Sequence, residues 1–266
     1  MIPTMPRSCV RALSWPVVWL LAGCGARSAQ ATTPLAALTG TWEVVHVAVD
    51  HRDQPHWLYF PEDPRLLGRS VSISASAISI DNNTRDCQNP SVTALPKAGL
   101  QEFISQRFAR PPQEGTPTHP TLSDFELAMA DAAVLPEQIG CSNGASEWNA
   151  SWIVPVAPDH LLTNYDNSGF VLVLERRNAA SPIKPSFACA KAQSAAEQAI
   201  CTSAALAGYD RSVAAAYRRA LSLAGEESAD VRREQTHWLT TRNACGGDAG
   251  CLAKSMRERT DQLMQQ

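Results

Sequence analysis

The chain has 266 residues, 44% of them hydrophobic and 18% charged, with a formal net charge of −3. That length suffices for two domains, and the near-balanced charge excludes the dense basic stripe of a nucleic-acid binder. Eight cysteines point to disulfides formed in an oxidising compartment.

Residues 1–23 read as a targeting segment. Arg7 and Arg11 precede the apolar run Ala12–Ala22, which is about half the roughly 20 residues that a bilayer crossing needs. The run ends in Leu21-Ala22-Gly23-Cys24, which resembles a bacterial lipobox. The resemblance implies that Cys24 is lipidated and that acyl chains anchor the protein to a membrane. Gly25 stands where an Asp commonly retains lipoproteins at the inner membrane. The expected location is therefore the outer membrane, facing the periplasm. Residues 24–35 are small and polar, a tether.

Residues 36–177 read as a β-rich domain. Gly40-Thr41-Trp42 leads into the β-branched run Glu43–Asp50, a strand signal. Ser70–Asp81 alternates polar and apolar, but Val71 and Ile73 share one parity while Ile78 and Ile80 take the other. That slip predicts a tight turn or bulge between two strands. Further strand patterns cover Trp57–Phe60, Phe125–Met129, Ala150–Val156, His160–Tyr165 and Phe170–Leu174. Asp166–Gly169 has a hairpin-turn composition, and the proline-rich Arg110–Thr121 reads as a loop. Many short strands with few helical patterns between them predict an antiparallel barrel or sandwich. Gly40-Thr41-Trp42 also resembles the Gly-x-Trp that opens lipocalin-type barrels. That likeness implies a Trp plugging one barrel end beneath a late Arg, here Arg176 or Arg177, and an alternative function as a periplasmic carrier or sensor of a small ligand.

Two prolines in residues 178–186 mark a linker. Residues 187–266 are helical, so the fold class is α+β. Ser194-Ala195-Ala196-Glu197 is a capping-box pattern, predicting a short helix that ends near Cys201. A second helix runs from about Leu206 to Leu223, with Leu206, Tyr209, Val213, Tyr217 and Ala220 as its core stripe. Ser228 is placed to cap a third helix to about Asn243, with Val231, Gln235, Trp238 and Arg242 on one face. A fourth, from Cys251, carries Leu252, Met256, Arg259 and Leu263.

Cys9 lies in the signal and Cys24 takes lipid, which leaves Cys87, Cys141, Cys189, Cys201, Cys245 and Cys251 for three disulfides. Keeping bridges within each part pairs Cys87 with Cys141. Antiparallel packing of the second and third helices brings Cys201 toward Cys245, which favours Cys201–Cys245 with Cys189–Cys251. The cysteines lack paired metal-ligand spacing and the six histidines form no HExxH set, so no metal is expected. His51-Arg52-Asp53 lacks the partner motifs of a kinase, and Ser181-x-x-Lys184 sits between prolines rather than on a helix. No nucleophile and base pair emerges, so neither an enzyme nor a cofactor is expected.

The tail carries a multi-point motif. It begins at Phe187, Cys189 and Ala192, then Glu197 with Ile200-Cys201, Leu206 with Asp210, and Tyr217. Gln235, Trp238-Leu239, Arg242 with Cys245-Gly246, and Cys251-Leu252 with Arg259 complete it. This segment resembles the LprI-type lysozyme-inhibitor family, with two departures: Ala188 where an Asp is common, and Met256 where a Tyr is common. The resemblance implies a small helical module and a lysozyme as partner. Arg232 and Arg233 on the third helix, and Arg242 with Asn243 at the following turn, are the candidate partner contacts. Charge divides unevenly: residues 24–182 hold 10 Lys/Arg against 17 Asp/Glu, a net −7, and residues 183–266 hold 11 against 9, a net +2.

Overall fold

The β-branched run after Gly40 forms a ten-residue strand, β1 (Gly40–Val49), in the computed structural model, which describes residues 35–50, 59–81, 86–109, 119–165 and 169–265. A short helix, α1 (Leu35–Leu38), leads into it. Strand β1 pairs antiparallel with β2 (Ser70–Ile73) on one side and with β11 (Phe170–Arg177) on the other. Its register slips between Val44 and His46. The extra residue switches inward-facing parity, so Trp42 and Val44 are buried before the slip and Val47 and Val49 after it.

The alternating run Ser70–Asp81 is a hairpin of β2 and β3 (Ala77–Ile80), with Ser74 closing the turn through Ser74 N to Ala77 O at 2.8 Å. The parity change read in the sequence is this turn. Strands β4 (Cys87–Gln88), β5 (Ser91–Ala94), β8 (Glu137–Gly140), β9 (Trp152–Ala157) and β10 (His160–Thr163) complete a nine-stranded sheet in the order β4-β3-β2-β1-β11-β10-β9-β8-β5. Every neighbouring pair is antiparallel. A separate two-stranded ladder joins β6 (Ala98–Gly99) to β7 (Ala133–Val134). The sheet curls until its far edges meet. Cys87 on β4 is bonded to Cys141 just past β8, and Ser142 N donates to Gln88 O at 2.8 Å.

Both faces of the middle strands are covered. Trp42, Trp148, Ile153, Leu161 and Leu172 belong to the core inside the curl. Outside it, α2 (Leu100–Arg107) sets Leu100, Phe103 and Ile104 against Trp152, Val154 and Val173. Double burial explains why β9 and β11 read as continuous apolar runs rather than alternating ones. The run Phe125–Met129, expected as a strand, is instead a 3-10 turn, Ser123–Phe125, followed by Glu126 in the left-handed region at φ 54°. Phe125 and Leu127 both enter the outer core, and the left-handed Glu126 between them breaks the extended run. The expectations for residues 51–58, 110–118 and 166–168 lie outside the described residues, as do the targeting segment, Cys24 and most of the tether.

The helical region comprises α3 (Ala195–Thr202), α4 (Ala204–Leu223), α5 (Ser228–Asn243) and α6 (Ala249–Met264). Ser194 and Glu197 form the capping box read in the sequence. Ser203 caps α4 by accepting from Leu206 N at 3.3 Å, and Asp248 caps α6 by accepting from Cys251 N at 2.8 Å. Ser228 does not cap α5. The chain enters through a 3-10 turn, Gly225–Glu227, and Ser228 already has helical angles, so its hydroxyl is not turned back on the first turn. The stripes meet in one core holding Ile200, Leu206, Val213, Leu252, Met256 and Leu263.

The described residues, from Leu35 to Gln265, form one compact unit. Helix α4 lies against the segment before β2. Ser212 Oγ donates to Leu67 O at 2.7 Å, Arg211 pairs with Glu43 on β1, and the Arg69 guanidinium lies 4.5 Å from the Tyr209 ring centre. Arg69 also faces Asp81, whose carboxyl burial pushes up in pKa while Arg69 opposes the shift.

Candidate functional site

Two helices present facing stripes at the same spacing. Helix α4 offers Asp210, Val213, Ala214 and Tyr217, and α5 offers Gln235, Trp238, Leu239 and Arg242. Positions i, i+3, i+4 and i+7 lie on one face of a helix. Phe187, from the segment before α3, and Glu197, on α3, also line the groove between them, which has a volume of about 330 Å³.

The groove's charged groups are engaged by the protein itself. Asp210 Oδ2 accepts from Ser186 N at 2.6 Å, and Asp210 Oδ1 lies 3.7 Å from Arg242 Nη1. Asn243 Oδ1 accepts from Arg242 Nε at 3.2 Å and Nη2 at 2.9 Å. Burial lowers the Arg242 pKa against the opposing charges of Asp210 and Glu197. The Glu197 carboxylate accepts from the Ser194 and Gln193 backbone N–H groups, which hold its pKa below the usual glutamate range. Gln235 Oε1 accepts from Arg259 Nε at 2.9 Å, and Trp238 Nε1 donates to Ser255 Oγ at 3.2 Å.

These contacts change the reading of the candidate partner residues. Arg232 and Arg233 are exposed on α5, Arg233 beside Asp230 at 2.7 Å. Arg242 is only 4% exposed, so it is part of the groove floor rather than of a surface loop. Asn243 is turned onto Arg242 instead of outward. The signal for this inward turn was present in the sequence, since Arg242 falls on the same stripe as Val231, Gln235 and Trp238.

The disulfides of the helical region are local. Cys189 is bonded to Cys201 and Cys245 to Cys251, rather than Cys201 to Cys245 and Cys189 to Cys251. The end of α5 does come beside the first turns of α4, through Arg242 and Asp210, but each cysteine is taken by a partner close to it in sequence, at separations of 12 and 6. The segment at Cys189 folds back onto the end of α3, and Gly246 at φ 57° reverses the chain between Cys245 and Cys251. Among the described residues no His/Cys/Asp/Glu group could hold a metal, and no helix is long and apolar enough to cross a membrane.

In the sheet region, Arg176 rather than Arg177 covers Trp42. Its guanidinium lies 4.0 Å from the ring centre and donates to Thr39 O and Ala37 O, each at 2.8 Å. Trp42 Nε1 donates to Leu38 O at 2.9 Å. Arg177 turns to Glu43 at 3.6 Å. The inner face behind this plug is filled by large side chains, Trp42 and Trp148 among them.

Residues 189–263 match the model of the family described as lysozyme inhibitor LprI. No curated protein and no solved structure matches the chain. Of the eleven groove residues, eight carry the motif set out above: Phe187, Glu197, Asp210, Tyr217, Gln235, Trp238, Leu239 and Arg242.

Proposed function

We propose that the protein is a non-catalytic lipoprotein of the cell envelope that binds and inhibits lysozyme. The observation that carries this reading is the match of residues 189–263 to the lysozyme-inhibitor family. Residues 36–177 and 187–266 serve as two domains joined by the linker 178–186, with the helical one supplying the partner contact. Lipidation at Cys24 holds the assembly at the outer membrane through the tether.

Lysozyme works with two carboxylates in a cleft. Arg232 and Arg233, exposed on α5, supply cations of the sign such a cleft attracts. The filled interior of the curled sheet lends no support to a small-ligand carrier. The test uses residues 25–266, purified and oxidised, against C-type, G-type and I-type lysozymes. Inhibition of one class is expected. Unchanged rates for all three at large molar excess would reject the reading.

A further inference from the structure

A second groove lies on the outer face of the sheet, away from the helices of the tail. Leu100 and Val134, both buried in the outer core, form its floor, and Met129 and Pro155 are half-buried along it. Ala132 stands exposed at its rim. The groove has a volume of about 340 Å³, within the range of small-ligand sites. Among the lining side chains His160 alone carries a nitrogen or oxygen, and its Nδ1 is already 2.8 Å from Asp159 Oδ1. The side chains therefore offer contact to hydrocarbon and no charge to an ionic ligand. A concave apolar surface of this kind is a binding feature.

Its place in the fold points to the occupant. The groove lies at the end of the sheet where α1 starts. Arg176 Nη2 donates to Ala37 O at 2.8 Å, and Arg176 N donates to Asp159 O at 2.8 Å. Asp159 adjoins His160 of the groove, so one arginine connects α1 to the rim. Leu35 follows Cys24 by eleven positions, a length of chain that spans at most about 40 Å. Any group carried on Cys24 is thus confined to the neighbourhood of this groove. A ligand tethered so closely reaches an effective concentration on the order of millimolar, so a modest apolar contact suffices to hold it.

We propose that this groove houses an acyl chain of the lipid on Cys24 while the protein is away from a bilayer. The proposal rests on the reading of Cys24 as lipidated and not on lysozyme inhibition. The chain lies over Leu100 and Val134 and against Met129 and Pro155, and it leaves the groove when the anchor enters a membrane.

The test titrates residues 25–266 with alkyl phosphocholines of eight, ten and twelve carbons, each below its micelle concentration. The methyl resonance of Met129 is followed by NMR, with that of Met256, 0% exposed in the helical core, as the signal that should not move. Binding is expected to tighten about fifteenfold for every two carbons, the worth of two buried methylenes. Ala132→Arg is expected to keep the melting temperature and weaken binding about tenfold or more. In residues 24–266 the three disulfides leave Cys24 as the free thiol. A twelve-carbon maleimide coupled to it is expected to shift Met129 without added probe and to weaken the free probe about tenfold or more. An unmoved Met129 overturns the proposal. So does a series flat with chain length, binding that survives Ala132→Arg, or a coupled chain that neither shifts Met129 nor competes. Mass spectrometry of the protein from its own membranes checks the lipidation reading separately. An unmodified Cys24 overturns that reading and the proposal with it, whereas an acylated Cys24 with an unmoved Met129 overturns the groove alone.

Discussion

A Cβ placed on Gly208 would stand 2.0 Å from the carbonyl oxygen of Gly68. The obstacle is backbone, so no rotamer relieves it. Helix α4 and the segment before β2 touch main chain to main chain, and the flanking bonds from Ser212 and Arg211 depend on that approach.

Gly208→Ala is therefore expected to force α4 away from the sheet, costing about 3 kcal/mol or more, the upper range for overpacking. Differential scanning calorimetry checks this. Gly247→Ala, where an added Cβ meets nothing within 4 Å, is the control and should leave the melting temperature nearly unchanged.

The three disulfides close loops of very different length, with sequence separations of 54, 12 and 6. In the loop-closure picture these contribute about 4 kcal/mol for Cys87–Cys141, about 3 for Cys189–Cys201 and about 2 for Cys245–Cys251. Paired Cys→Ser variants should lose stability in that order. Mass spectrometry of an unreduced digest should recover Cys189 with Cys201, and Cys245 with Cys251. A Cys201–Cys245 peptide would contradict the structure.

His46 on β1 is hydrogen-bonded to Glu62, which raises its pKa above 6.5 against the opposing effect of burial; the charge of Glu126 adds to the rise. A histidine raised in the folded state gives stability that is fully present below its unfolded pKa. That stability is lost as pH rises through the folded pKa. Unfolding free energy should thus fall as pH climbs from about 6.5. Glu62→Gln should flatten this part of the profile and return the His46 titration, followed by NMR, toward the ordinary value.

Arg242 and Arg232 should separate cleanly. Arg242→Ala leaves Asp210, itself 6% exposed, without its ion partner, a change that costs about 3–5 kcal/mol when one member of a buried pair is removed. Arg232→Ala and Arg233→Ala, both on the surface, should stay within about 0.5 kcal/mol of the parent. If those two arginines meet lysozyme, the double variant loses inhibition while its melting curve is unchanged.

The helical half was legible because its signals are periodic and local. The stripe Leu252, Met256, Arg259 and Leu263 is wholly buried, and the Ser194 and Glu197 box is formed. The sheet half was harder. Strands of two residues, such as Cys87–Gln88, offer no alternation to read. Helix α2 is eight residues long and hides its apolar side among Leu100, Phe103 and Ile104. Its presence also removed the alternation from the strands it covers. The groove was written in the motif residues, yet their convergence needed the packing of α4 with α5. The disulfide pairing failed for another reason: the expected helix packing brings Cys245 toward the start of α4, yet the local turns at Cys189 and at Gly246 close shorter loops first.

Strand β1 takes β11 as its neighbour, and Arg176 reaches back across 137 positions to the carbonyl of Thr39. Among the described strands, the earliest to be synthesised must therefore wait, half unpaired, until the last strand of the sheet has emerged. Contacts this distant in sequence form slowly, and an unpaired strand edge invites association with other chains in the interval. The two tail disulfides have no such dependence, since each closes within a dozen positions. The order of assembly that follows is a stapled helical tail docking onto a sheet that has only just closed. A chain stopped short of residue 170 would leave β1 with an open edge for the whole of its lifetime.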